Sequence, residues 1–204
     1  MTDLGKLPPA QLEQLTSIPK AKAFLGREFL TWLWFLADTT DKELEYQDKA
    51  TGKKKRFDLW IDDRLVLESG QGLSHENVLK GGDPSNSQEA GMALATGKTV
   101  RELRLGVHIK GVGDFTAMLN EGDLNPRSLK LPTVETGEAE GSAEPTLPIA
   151  TRLKQTEAFL TILDRLFAMF MEQRVGDDWE SEHLPRIRAW VKKRQHVADA
   201  ATLH

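Results

Sequence analysis

The chain has 204 residues, 39% hydrophobic and 28% charged, and carries a net charge of −4. That length suits one domain, or one domain with an appended helical piece, and buries a real core. An acidic balance excludes a uniformly basic polyanion binder, the absence of Cys excludes disulfides and thiolate metal sites, and the longest apolar run falls well short of the roughly 20 residues a bilayer span needs.

Residues 1–20 hold Pro8, Pro9 and Pro19 around Leu12, Leu15 and Ile18, the pattern of a flexible lead-in. The start has neither the basic region nor the apolar stretch of a secretion signal, so a cytoplasmic location is expected. Phe24 to Leu36 then gathers two of the five Trp and three of the eight Phe. At a period of 3.6 its apolar side chains cover most of the circumference, which predicts a helix covered on nearly every side, with Arg27 and Glu28 as its only charges. Glu43 to Tyr46 and Arg56 to Ile61 alternate around a Gly-containing polar loop, the signature of a β-hairpin with Phe57, Leu59 and Ile61 on one face. Asp62-Asp63 reads as a turn into Leu65 to Glu68, giving a second hairpin.

Val78-Leu79 reads as a short strand. Ser85 or Ser87 caps a helix from about Gln88 to Thr96, with Ala90, Ala93 and Leu94 inward and Gly97 at the stop. Gly91 costs that helix about 1 kcal/mol relative to Ala, which a close helix contact would explain. From Thr99 the period falls to 2, and runs at Leu103–Ile109, Phe115–Leu119 and Ser128–Leu131 predict a three-stranded meander with one wet face. Residues 133–150 contain four Glu and no Lys or Arg and read as an acidic linker. Arg152 to Arg174 has an apolar arc wide enough for two surfaces, and Phe159, Leu163, Leu166 and Phe170 on it are candidates for an oligomer interface. Trp179 to about His196 completes a helical hairpin over 151–198. The predicted fold class is α+β: antiparallel hairpins and a meander, spanning 21–132, packed against an aromatic-rich helix and that C-terminal pair.

Chemistry concentrates in cations. Lys53, Lys54, Lys55 and Arg56, with Lys49 before them, sit at a hairpin tip from which several can reach a phosphate backbone together. Lys98, Arg101, Arg104 and Lys110 lie on or beside the meander's wet face, where Gly106 leaves a flat surface open to close approach. Arg186, Arg188, Lys192, Lys193 and Arg194 form a third group that the helix macrodipole explains without a ligand. Asp58, Asp62, Asp63 and Glu68 are the carboxylates a two-metal nuclease would require, yet Asp62-Asp63 is equally an ordinary turn, and no metalloprotease, phosphate-loop or nucleophile-elbow motif is present. No catalytic residue, metal site or cofactor is expected.

Leu25-Gly26-Arg27-Glu28-Phe29-Leu30-Thr31-Trp32-Leu33-Trp34, followed by Glu89, Ala93-Leu94, Gly97-Lys98 and Val100 before a strand, resembles the second half of the recombination-associated RdgC family, over about Leu25 to Trp190. The resemblance implies sequence-tolerant DNA binding, a ring-shaped dimer lined by positive residues, and restraint of recombinase loading. It makes the eight cations Lys53, Lys54, Lys55, Arg56, Lys98, Arg101, Arg104 and Lys110 the expected DNA contacts in a nucleoid-associated homodimer with a recombinase as a further partner. The alternative is a protein-interaction module, without DNA binding, docked through the Phe159–Phe170 arc.

Overall fold

The aromatic run forms helix α1, Pro19–Thr39, in a computed structural model that describes residues 19–40, 43–48, 52–69, 76–133 and 149–201. Residues 1–18 of the lead-in, residues 134–148 of the acidic linker, and Lys49 lie outside the described residues. The helix begins earlier than the aromatic pattern does, at a proline whose missing N–H costs nothing in a first turn. Phe29, Leu30, Leu33 and Trp34 are fully buried and Trp32 almost so, as a helix apolar around its whole girth requires.

Among the described residues six strands form one antiparallel sheet: β1 (Leu44–Gln47), β2 (Lys54–Glu68), β3 (Asn77–Lys80), β4 (Thr99–Ile109), β5 (Gly113–Asn120) and β6 (Arg127–Lys130). The order is β1-β2-β4-β5-β6, with β3 also paired to β2. The first hairpin is formed as expected, with Leu44 opposite Phe57 and Glu45 opposite Arg56. Asp62-Asp63 is not a hairpin turn, however. β2 runs straight through it as one 15-residue strand, and its register against β4 shifts between Ile61 and Leu65. The irregularity absorbs two extra residues and returns Leu65 and Leu67 to the inward face. The second hairpin is made instead with β3, where Leu65 opposes Leu79 and Val66 opposes Val78.

Helix α2, Gln88–Ala95, starts where Ser87 Oγ accepts from Ala90 N at 3.1 Å, and buries Ala90, Ala93 and Leu94. Gly91 earns its place by close approach, since a Cβ there would lie 3.0 Å from the Arg194 carbonyl oxygen. On the meander, Leu103, Leu105, Val107 and Ile109 turn inward beside Phe115, Ala117 and Leu119.

Helix α3 spans Ile149–Val175; a wide turn at Trp179–His183 leads into α4, Leu184–Ala201, with Pro185 in its first turn. The two helices serve different parts of α1. On α3, Phe167 and Phe170 meet Phe29 at 5.1 and 5.4 Å between ring centroids, and Phe159 stacks on Phe115 of the sheet at 6.0 Å. On α4, Trp190 meets Trp34 edge-on at 5.2 Å and Phe35 at 5.6 Å. Among the described residues no helix is long and apolar enough to cross a membrane.

The oligomer interface expected at Phe159, Leu163, Leu166 and Phe170 is corrected by this packing. All four are buried inside the single chain, because α1 and β5 consume both apolar surfaces of α3. The apolar side chains that α3 leaves exposed are Ile149, Leu153, Leu160 and Val175. Phe170→Ala should therefore lower stability by about 3–5 kcal/mol in urea unfolding and leave the state of association unchanged. Dissociation of an oligomer with little loss of stability would restore the interface reading.

Candidate nucleic-acid interface

With the helices on one side of the sheet, the other side carries mostly polar side chains, with Trp60 and Met118 among them, and the alternation of the strands decides which cations reach it. Lys54 and Arg56 point to this open face together with Glu45, their cross-strand neighbour on β1. Lys55 points the other way, over Tyr46, where it meets Asp48 at 2.5 Å. That bond holds the Lys55 ammonium above its ordinary range. Lys110 follows β4, and its backbone N–H donates to the Arg56 carbonyl at 3.1 Å, so it joins the hairpin cations at one end of the sheet.

This corner has a specific electrostatic design. Arg56 lies 3.1 Å from Glu43 and 3.8 Å from Glu45, Lys54 lies 3.5 Å from Glu45, and Lys110 lies 3.4 Å from Glu43. Hydrogen bonding from Arg56, then from Lys110, holds the Glu43 carboxyl below its ordinary value of 4.5. The contribution of these bonds is present above that value and disappears as pH falls through the lowered one. Lys54, Arg56 and Lys110 thus share two carboxylates, Glu43 and Glu45, while Lys55 is paired separately with Asp48. Three of the cations remain well solvated, with side-chain exposures of 79% for Lys54, 65% for Lys110 and 56% for Arg56.

The other predicted contacts do not join this corner. Lys98 and Arg101 lie at the opposite end of β4, roughly 33 Å away at the rise of a strand. Lys98 bonds Asn77, and Arg101 reaches Glu76 at 3.1 Å and Glu68 at 3.9 Å. Arg104 stands between the two ends with its guanidinium on Asp63 at 2.9 Å and its Nε on the Met118 sulfur at 3.3 Å. It is only 19% exposed. The eight cations are therefore two groups and a bridge rather than one surface. The carboxylates a nuclease would bring together are also apart: Asp63 is held by Arg104 and Glu68 by Arg27 at 2.8 Å.

Three residues read differently in the structure. Gly106 does not leave bare sheet, because the Trp60 indole lies over it: an added Cβ would sit 2.0 Å from Trp60 Cε2. Arg194 is not a surface cation but lies over both Trp34 and Trp190, at 5.0 and 5.3 Å from their rings, and bonds Asp38. Glu43, absent from any motif, is the acceptor shared by Arg56 and Lys110. The macrodipole account of the third cationic group also fails, since α4 runs to Ala201 and places Arg186 and Arg188 near its start and Lys192 and Lys193 in its middle. Those four are exposed.

No family model, curated protein or solved structure matches the chain.

If the carboxylates set the strength of this corner, removing them should unmask it. Glu43→Gln with Glu45→Gln should bind heparin about two- to tenfold more tightly at low salt and elute at higher salt, since exposed ion pairs are weak and only modest competition is removed. Unchanged elution would show that the corner takes no part in polyanion contact.

Proposed function

We propose that the chain is a non-enzymatic, sequence-tolerant DNA-binding protein that contacts phosphates through the β1-β2 tip and Lys110. The observation that carries the reading is the convergence of three solvated cations, Lys54, Arg56 and Lys110, on two carboxylates, Glu43 and Glu45, at one exposed corner. Coulomb attraction between solvated charges is weak, and exposed pairs contribute about 0–1 kcal/mol. A phosphate can therefore take the place of Glu43 or Glu45 beside Arg56, Lys54 and Lys110 at little cost, and an array of phosphates gains further by releasing counterions. No base-reading element is required for such contacts, which accounts for sequence tolerance. Arg186, Arg188, Lys192 and Lys193 on α4 offer additional phosphate contacts. The RdgC resemblance supplies modulation of recombination, in a nucleoid-associated homodimer, as the setting.

A second reading has its own support. The interleaved acids bring the corner close to neutrality, and Ile149, Leu153 and Leu160 fall along one side of α3 in contact with solvent. Both features suit a protein-interaction module without DNA binding. Light scattering behind size exclusion separates the two, since an oligomer indifferent to added DNA supports the module.

The test of the first reading is a salt titration. Duplex affinity should fall steeply with salt, with a log–log slope of about −0.9 per phosphate neutralised. Replacing Lys53, Lys54, Lys55 and Arg56 by Ala should weaken binding about uniformly across sequences and make the slope shallower by about 2–4. An unaltered slope would remove the tip from the interface.

A further inference from the structure

We infer that Trp60 is a stacking platform for an unpaired nucleobase, so that the open face of the sheet prefers single-stranded nucleic acid; the inference rests on the phosphate-contact reading above. Trp32, Trp34, Trp179 and Trp190 all belong to the buried core, and Trp60 is the one Trp that does not. It stands on the outward face of β2 directly opposite Gly106.

The contact between them defines how the ring lies. A Cβ added to Gly106 would meet Trp60 Cε2 at 2.0 Å, Cδ2 at 2.4 Å and Cζ2 at 2.5 Å. Cδ2 and Cε2 form the fusion bond in the middle of the indole, so the ring covers the glycine with its face rather than its edge. Its second π-face is turned away from the sheet. Any side chain at position 106 would lift the indole, and glycine lets it lie flat.

The surroundings suit a nucleotide better than an apolar peptide. On the same face, Arg104 and His108 flank Gly106 on β4, and Thr116 and Lys130 continue the row of Trp60 across β5 and β6. Lys130 is exposed and two strand spacings beyond Gly106, about 10 Å, a reach that suits the phosphate of a nucleotide stacked on the indole. Asp58, exposed and two residues before Trp60, supplies a carboxylate acceptor for a base N–H, such as N3–H of thymine. A hydrophobic partner would find no second apolar side chain of comparable size in this row. A duplex already stacks its bases on one another, whereas a single strand presents each base face to an aromatic ring.

The experiment titrates the full chain at low salt with a ten-nucleotide oligo(dT) and with a duplex of equal length. Intrinsic tryptophan emission and the anisotropy of labelled DNA are followed together. Stacking predicts quenching by the single strand, tighter binding of the single strand than of the duplex, and a loss of about tenfold or more in single-strand affinity for Trp60→Leu. Trp60→Phe should retain most of that affinity, because a π-face remains. Salt-sensitive binding of both forms without quenching, or with Trp60→Leu indistinguishable from wild type, overturns the platform and leaves the phosphate reading standing. Absence of binding to either form overturns both. Quenching in the wild-type protein decides the matter even where a variant folds poorly.

Discussion

A helix that is apolar on every side has to be covered on every side, and α1 imposes that constraint on the whole molecule. The sheet covers one flank through Leu103, Leu105 and Leu65, α3 covers another through Phe170, and α4 closes the last through Trp190. Polar pins fix the helix in place: Thr31 Oγ1 accepts from Val100 N at 3.2 Å, Arg27 bridges Glu68 and Glu121, and Glu28 accepts from Arg174 at 2.8 Å. Aromatic pairs at these spacings add about 0.5–1.5 kcal/mol each beyond the area they bury. Once all three helical packing surfaces are committed to α1 and its neighbours, one whole face of the sheet is left to water.

That face determines what the acidic composition means. A bare row of cations on adjacent strands would repel itself, and cross-strand carboxylates relieve the repulsion. The same pairing sorts the cations by consequence. Arg27, Arg104 and Arg194 are held in partly buried bonds, so moving them disturbs the fold. Lys54, Arg56 and Lys110 are held in solvated pairs that exchange partners readily. Net charge counts both kinds alike, whereas a phosphate feels only the second, over a range of about 8 Å at physiological salt.

Much of the fold was legible because its signals were periodic. The all-round apolar helix, the switch to a period of 2 at Thr99 and a serine cap at 85 or 87 each follow from residue type at a fixed spacing; the structure has each of them and makes Ser87 the cap. Reading failed where a tertiary neighbour decided. Asp62-Asp63 has the chemistry of a turn, yet hydrogen bonding from β4 on both sides keeps β2 extended. The arc of α3 was wide enough for two partners, and both proved to lie within the chain. The helix cations resemble a dipole-stabilised end only if α4 stops near His196, and it continues to Ala201. The candidate site was legible as a list of cations but not as a geometry: Glu43 lies 13 residues before Arg56 and 67 before Lys110 in sequence, and no local pattern links them. Trp60 over Gly106 left one trace, a glycine inside a strand, and that trace read equally well as open surface.

If DNA phosphates replace the carboxylates at the β1-β2 corner, as proposed, the Glu43 carboxyl registers the exchange directly. Its pKa can be followed by carbon NMR with and without a saturating duplex oligonucleotide at low salt. Exchange of partners predicts that the depressed value in the free protein rises toward the ordinary carboxylate range when DNA is bound, as Arg56 and Lys110 turn to phosphate. A Glu43 pKa that stays depressed with DNA demonstrably bound would contradict the account.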